Sequence, residues 1–89
     1  MLRITTIHDG LQTVLKLEGK LMEPWIEELC GAWALAEARG KHVGLDLSDV
    51  SFMDAAGTQS LRSLVRRGAL LTGCSAFVAE LLRESQTQP

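Results

Sequence analysis

The side chains able to do chemistry in this 89-residue chain are few and poorly spaced for it. Its two histidines, His8 and His42, and its two cysteines, Cys30 and Cys74, never fall at a CxxC or HxxxH interval. Structural zinc takes four such ligands, so no metal site is expected. Serine, histidine and aspartate all occur, but no serine sits in a GxSxG elbow, and each histidine lies beside a turn or strand edge. Glu27 and Glu28 do not make a carboxylate pair, because adjacent helical residues point about 100° apart. The Gly-Lys pairs at 19–20 and 40–41 lack the upstream glycine of a phosphate-cradling loop, and there is no GxGxxG. The expectation is a protein that is not an enzyme and carries no cofactor.

One segment stands out, Leu45-Asp46-Leu47-Ser48-Asp49-Val50-Ser51-Phe52-Met53-Asp54-Ala55-Ala56-Gly57. It reads as a strand, a loop with apolar anchors, an N-cap carboxylate at Asp54, and then two alanines and a glycine opening a helix. Small side chains leave that helix entrance sterically open. Its free N–H groups and positive dipole end suit an anion or a partner's carboxylate. The same residues are also what a helix needs simply to pack close to a sheet.

The elements around this segment follow from pattern. Leu2–Ile7 and Gln12–Leu17 are β-rich runs around His8-Asp9-Gly10-Leu11, where the Asp-Gly pair tolerates positive φ and favours a tight hairpin. Leu11, Thr13, Leu15 and Leu17 alternate with Gln12, Val14 and Lys16, giving one inner face. Pro24 suits the first turn of a helix over 23–39. Its stripe is Met22, Ile26, Leu29, Trp33 and Ala36, widened by Trp25, Cys30 and Leu35. Arg39-Gly40-Lys41 closes it with a glycine cap and cations. His42–Leu47 is a buried strand, and 48–54 the loop. A second helix runs to Arg67 with Leu61, Leu64 and Val65 inward and Arg62, Arg66 and Arg67 in water. Ala69–Thr72 is a short strand. Ser75 caps a last helix, Ala76–Glu84, with Phe77, Val78, Leu81 and Leu82 inward. The order β-β-α-β-α-β-α predicts an α/β fold, a small mixed sheet flanked by helices. It forms one domain over residues 1–85, with a frayed tail at 86–89.

Composition narrows the function classes. Charge is near balance, nine Lys+Arg against eleven Asp+Glu, with a pI near 5.6. Nucleic-acid binders show basic faces and a pI above about 9, and a chain without tyrosine offers little for base stacking. Apolar runs are far short of the roughly 20 residues that span a bilayer, and no basic-then-apolar leader opens the chain. A cytoplasmic globule is expected, with no nucleic acid and no membrane insertion. Its two cysteines read as free, buried thiols. A chain this short buries only about 60% of its unfolded surface, so its stability margin is thin.

The segment at 46–57 resembles the signature of STAS domains (sulfate transporter and anti-sigma factor antagonist), D-L-S-x-V-x-F-[MI]-D-[ST]-[ST]-G. Asp46-Leu47-Ser48, Val50, Phe52-Met53-Asp54 and Gly57 match, and the likeness extends over nearly the whole chain. It implies a mixed sheet with helices and a protein partner, often an anti-sigma factor kinase whose capture releases a sigma factor. The resemblance places the partner surface at Asp54, Ala55, Ala56, Gly57, Thr58, Gln59 and Arg62. In the family a Ser or Thr just before the motif glycine is the phosphorylation switch. Here that position is Ala56, preceded by Ala55, so the chain is expected to be locked in the binding-competent state. Thr58 and Ser60 are the nearby hydroxyls. The alternative is a small cytoplasmic STAS subunit of a bacterial lipid-transport ATPase complex. Nothing in the chain argues for nucleotide binding. The chain stops where the family commonly adds a strand and a helix, leaving a sheet edge that could pair a homodimer.

Overall fold

The computed structural model describes residues 1–39 and 42–86. Strands β1 (Leu2–Asp9) and β2 (Gln12–Leu21) pair antiparallel from Leu2↔Gly19 to Asp9↔Gln12. The loop is therefore Gly10-Leu11, the second half of the expected connection over 8–11. Gly10 takes φ +60°, the left-handed value that the first position of a II′-type hairpin loop requires. Leu11, expected on the inner face, sits in this loop and is exposed. Both strands outrun the apolar alternation that suggested them: β1 runs on to Asp9 by pairing with Gln12, and the end of β2 is held by pairing with a distant strand.

That partner is β3 (His42–Met53), which replaces the expected strand-plus-loop. Residues 48–53 are strand, running parallel to β2 through Glu18↔Asp49, Gly19↔Val50, Lys20↔Phe52 and Leu21↔Met53, with two register shifts. The shifts break the two-residue periodicity that would have announced the strand. Between β2 and β3, α1 spans Ile26–Ala38 and starts later than expected. The Trp25 N–H donates to the Met22 carbonyl at 2.7 Å, so Pro24 lies in a turn before the helix. Leu29, Trp33 and Ala36 are buried, whereas Cys30 and Leu35, the latter 73% exposed, lie outside the stripe. The expected cap at Gly40-Lys41 falls outside the described residues.

Helix α2 covers Ala55–Arg66, strand β4 Leu70–Cys74 and helix α3 Ala76–Gln86. Ser75 caps α3 as expected, its Oγ accepting from the Val78 N–H at 3.3 Å. Gln86 is helical, and the rest of the expected tail, 87–89, lies outside the described residues. Two inward assignments fail: Val65 is 37% and Phe77 44% exposed. Both cysteines are free as expected, but exposed rather than buried: Cys30 is on the outside of α1 and Cys74 on an edge strand.

The sheet order is β1-β2-β3-β4, with β3 and β4 also parallel. Two successive crossovers advance in one direction, and connections of one hand then put α1 and α2 on the same face. Helix α2 touches both α1 and α3, and one core joins Leu15, Leu17, Leu45 and Leu47 of the sheet to Leu29, Trp33, Leu61, Leu64 and Val78. The mixed sheet therefore has one helix-covered face and one open face. No helix among the described residues is long and apolar enough to cross a membrane.

Candidate partner-binding site

The corner where β3 becomes α2 is built by Asp54. Its backbone is extended (φ −90°, ψ −177°), and its Oδ1 accepts the Gly57 N–H at 2.7 Å. Its carbonyl accepts both the Thr58 N–H at 2.9 Å and the Thr58 hydroxyl at 3.0 Å. The Asp54 N–H reaches the Leu21 carbonyl at 3.4 Å, tying the helix start to the end of β2. Two of the four donors at the helix start are thus already satisfied, and a carboxylate stands at the positive end of the dipole. The chain's own cap therefore takes up half of the anion-accepting role that the sequence suggested for this entrance.

Helical geometry then sorts the expected contact residues. Ala55, Gln59, Arg62 and Arg66 recur at steps of four, three and four, which makes one outer ridge. Ala55, Gln59 and Arg66 are exposed and Arg62 is half-buried. Ala56 lies half-buried on the flank, and so do Asp54 and Thr58, which the cap engages. Gly57 belongs to the opposite stripe with Leu61 and Leu64 and is buried. A Cβ on Gly57 would run into the Leu21 carbonyl and come within 3.2 Å of Asp54 Oδ1. Its contribution is to let α2 approach β2, and it has little surface of its own to offer. One apolar surface was missed: Phe52, expected as a loop anchor, is 41% exposed two residues before the cap. The register shift at Lys20 turns it outward, which no residue pattern announces.

The first half of the segment braces the open face. The Ser48 N–H donates to Asp46 Oδ1 at 3.1 Å and the Ser48 hydroxyl donates to the same oxygen. Nearby, Lys16 pairs with Asp49 at 3.5 Å. The Ser48 hydroxyl, then its N–H, and to a lesser degree the Lys16 charge hold the Asp46 carboxyl below its ordinary value of 3.8. A depressed folded-state pKa adds stability above the unfolded value, and that stability disappears as pH falls through the folded one. Asp46→Asn is therefore expected to be less stable than the parent at pH 7, and the gap to close on acidification below pH 3.8. Urea midpoints measured across that range check it; a gap constant with pH contradicts it.

The strand order, the two parallel crossovers and the capped corner define a two-layer α/β domain of one recognisable class. The chain belongs to the STAS domain family, whose sequence profile matches residues 3–88. No curated protein sequence matches it. Among solved structures it is similar to the anti-sigma factor antagonist SpoIIAA in its unphosphorylated form, with TM-score 0.76 and 18% identity over 94% of this chain and 81% of that one. It is similar also to Mglu, with TM-score 0.70 and 19% identity over 81% of this chain, and to Mglu in its native form, with 0.61 and 21% over 80%. The chain spans only 20% and 23% of those two. At such identities the likeness is one of fold.

Proposed function

We propose that this chain is a non-enzymatic docking module of the anti-sigma factor antagonist type, working in the cytoplasm without a phosphorylation switch at position 56. One observation carries the reading. On the flank and outer ridge of α2, Ala55 and Gln59 are exposed and Ala56 and Arg62 half-buried, and position 56 carries no hydroxyl. The partner is an anti-sigma factor of the kinase-like class, held by surface competition. A phosphate would add about −1.5 to −2 charge and veto docking, and Ala56 cannot receive one. The nearest downstream hydroxyl, that of Thr58, is spent on the Asp54 carbonyl.

Ala56→Glu is expected to weaken the complex by at least about 1 kcal/mol, because a charge must be desolvated at the interface and repels acidic neighbours. Calorimetry with the captured partner reads it. Unchanged affinity moves the interface elsewhere, and labelled phosphate entering the parent protein at Thr58 or Ser60 removes the unswitched state. Co-precipitation with mass spectrometry identifies what is captured. A kinase-like anti-sigma factor supports the proposal; permease and ATPase components replace it with the lipid-transport reading. Recovery of untagged chain by tagged chain would assign a homodimer, for which the uncharged edge strand β4 offers the pairing surface.

A further inference from the structure

At the end of the sheet opposite Asp54, the helix-facing side changes character. Elsewhere that face is apolar: Leu2, Leu15, Leu17, Val43, Leu45, Leu47 and Met53 are all buried. Toward the hairpin turn the same side of β1 carries Thr6 and His8, and β2 carries Thr13, with His8 and Thr13 directly opposed. Thr13 is 0% exposed, and its Oγ1 has one partner, His8 Nδ1, at a long 3.4 Å. Thr6 and His8 remain exposed, because α1 packs on β2 and β3 and leaves the inner side of β1 uncovered here.

Over these residues stand the last turns of α1. Ala32, Leu35, Ala36 and Arg39 complete the lining of a cavity of about 220 Å³. Two alanines make the space. Arg39 has no ion-pair partner among the described residues, and no described carboxylate lines the cavity, although the chain as a whole is net −2. The polar residues with surface at the cavity are therefore Arg39, Thr6 and His8, with Thr13 buried behind His8, and a cation beside a hydroxyl and an imidazole suits oxygen-rich anions. The opposite wall is apolar, and Leu35 projects at its lip. A volume near 220 Å³ exceeds an oxyanion alone, a liquid water molecule taking about 30 Å³.

We propose that this cavity is a binding site for a small metabolite with a phosphate or carboxylate group and a compact carbon body. Arg39, His8 and Thr6 hold the anionic oxygens, Thr13 steadies His8 from beneath, and Ala32, Leu35 and Ala36 cover the carbon. The site stands apart from the α2 ridge and does not depend on what docks there.

Amide NMR titrations of the full chain test it, with methyl phosphate, inorganic phosphate and acetate as probes and sodium chloride at matched ionic strength as control. The expected result is saturable shifts at Thr6, His8, Thr13 and Arg39 that chloride does not reproduce. Saturation by the phosphates alone assigns a phosphate ligand, by acetate alone a carboxylate. Arg39→Gln is expected to weaken binding about tenfold, the worth of one charge-assisted hydrogen bond. Leu35→Asp, a change at an exposed position, is expected to weaken it as well by repelling the anion. Shifts that stay linear for every probe, shifts confined to Arg62 and Arg66, or an unchanged affinity in Arg39→Gln overturn the proposal.

Discussion

Gly57→Ala is expected to destabilise the domain by about 1–3 kcal/mol, although the same change in an unconstrained helix interior would stabilise by about 1 kcal/mol. The opposite sign follows from where Gly57 sits. A methyl there meets the Leu21 carbonyl, a backbone atom that cannot rotate away, and crowds the Asp54 oxygen that caps the helix. Relief requires α2 to lift from β2, which strains the Asp54 N–H bond to Leu21 and opens the core at Leu61. Ala56→Ser, one residue earlier on a half-buried flank, is expected to stay within about 0.5 kcal/mol of the parent. Urea unfolding of the two variants separates close packing from helix propensity. A more stable Gly57→Ala protein would show that nothing at the corner depends on that approach.

Leu45→Ala is expected to cost about 2–5 kcal/mol. Leu45 is fully buried in the strand that joins β2 to β4, beneath the helix layer, so the void is bounded by sheet and helices that cannot both collapse into it. A domain of this size holds roughly 5–10 kcal/mol in total, and the loss takes a large share of that. The urea midpoint should fall with little change in slope. Leu35→Ala, a change of the same chemistry at a mostly exposed position, is expected to move the midpoint hardly at all. A Leu45→Ala cost below about 1 kcal/mol would mean that the core is plastic and not close-packed.

Much of the corner was legible from residue types, because it is made by local bonds. A carboxylate three residues before a glycine in a helix start is an N-cap in almost any context, and Asp54 accepts from Gly57 as that pattern implies. Ser75 does the same for α3. The helix-facing stripes were less legible. A period of 3.6 says which residues share a side but not how wide a stripe the sheet covers, so Leu35, Val65 and Phe77 fit the inward spacing and yet lie outside. The cysteines are exposed for a related reason, since a small apolar residue on a helix rim or an edge strand fits either side.

By itself the sequence determined the element order, the mixed α/β class, the cap at Asp54 and the missing hydroxyl at position 56, all of which depend on near neighbours in the chain. Tertiary structure alone decided that residues 48–53 are strand, that Phe52 turns outward and that Gly57 is spent on packing. It also decided that a hydroxyl–imidazole pair and Arg39 meet around a cavity. Each of these rests on contacts between segments far apart in sequence. Their pairing register is set by the whole sheet and by where α1 comes to rest on it, and no local window carries that information.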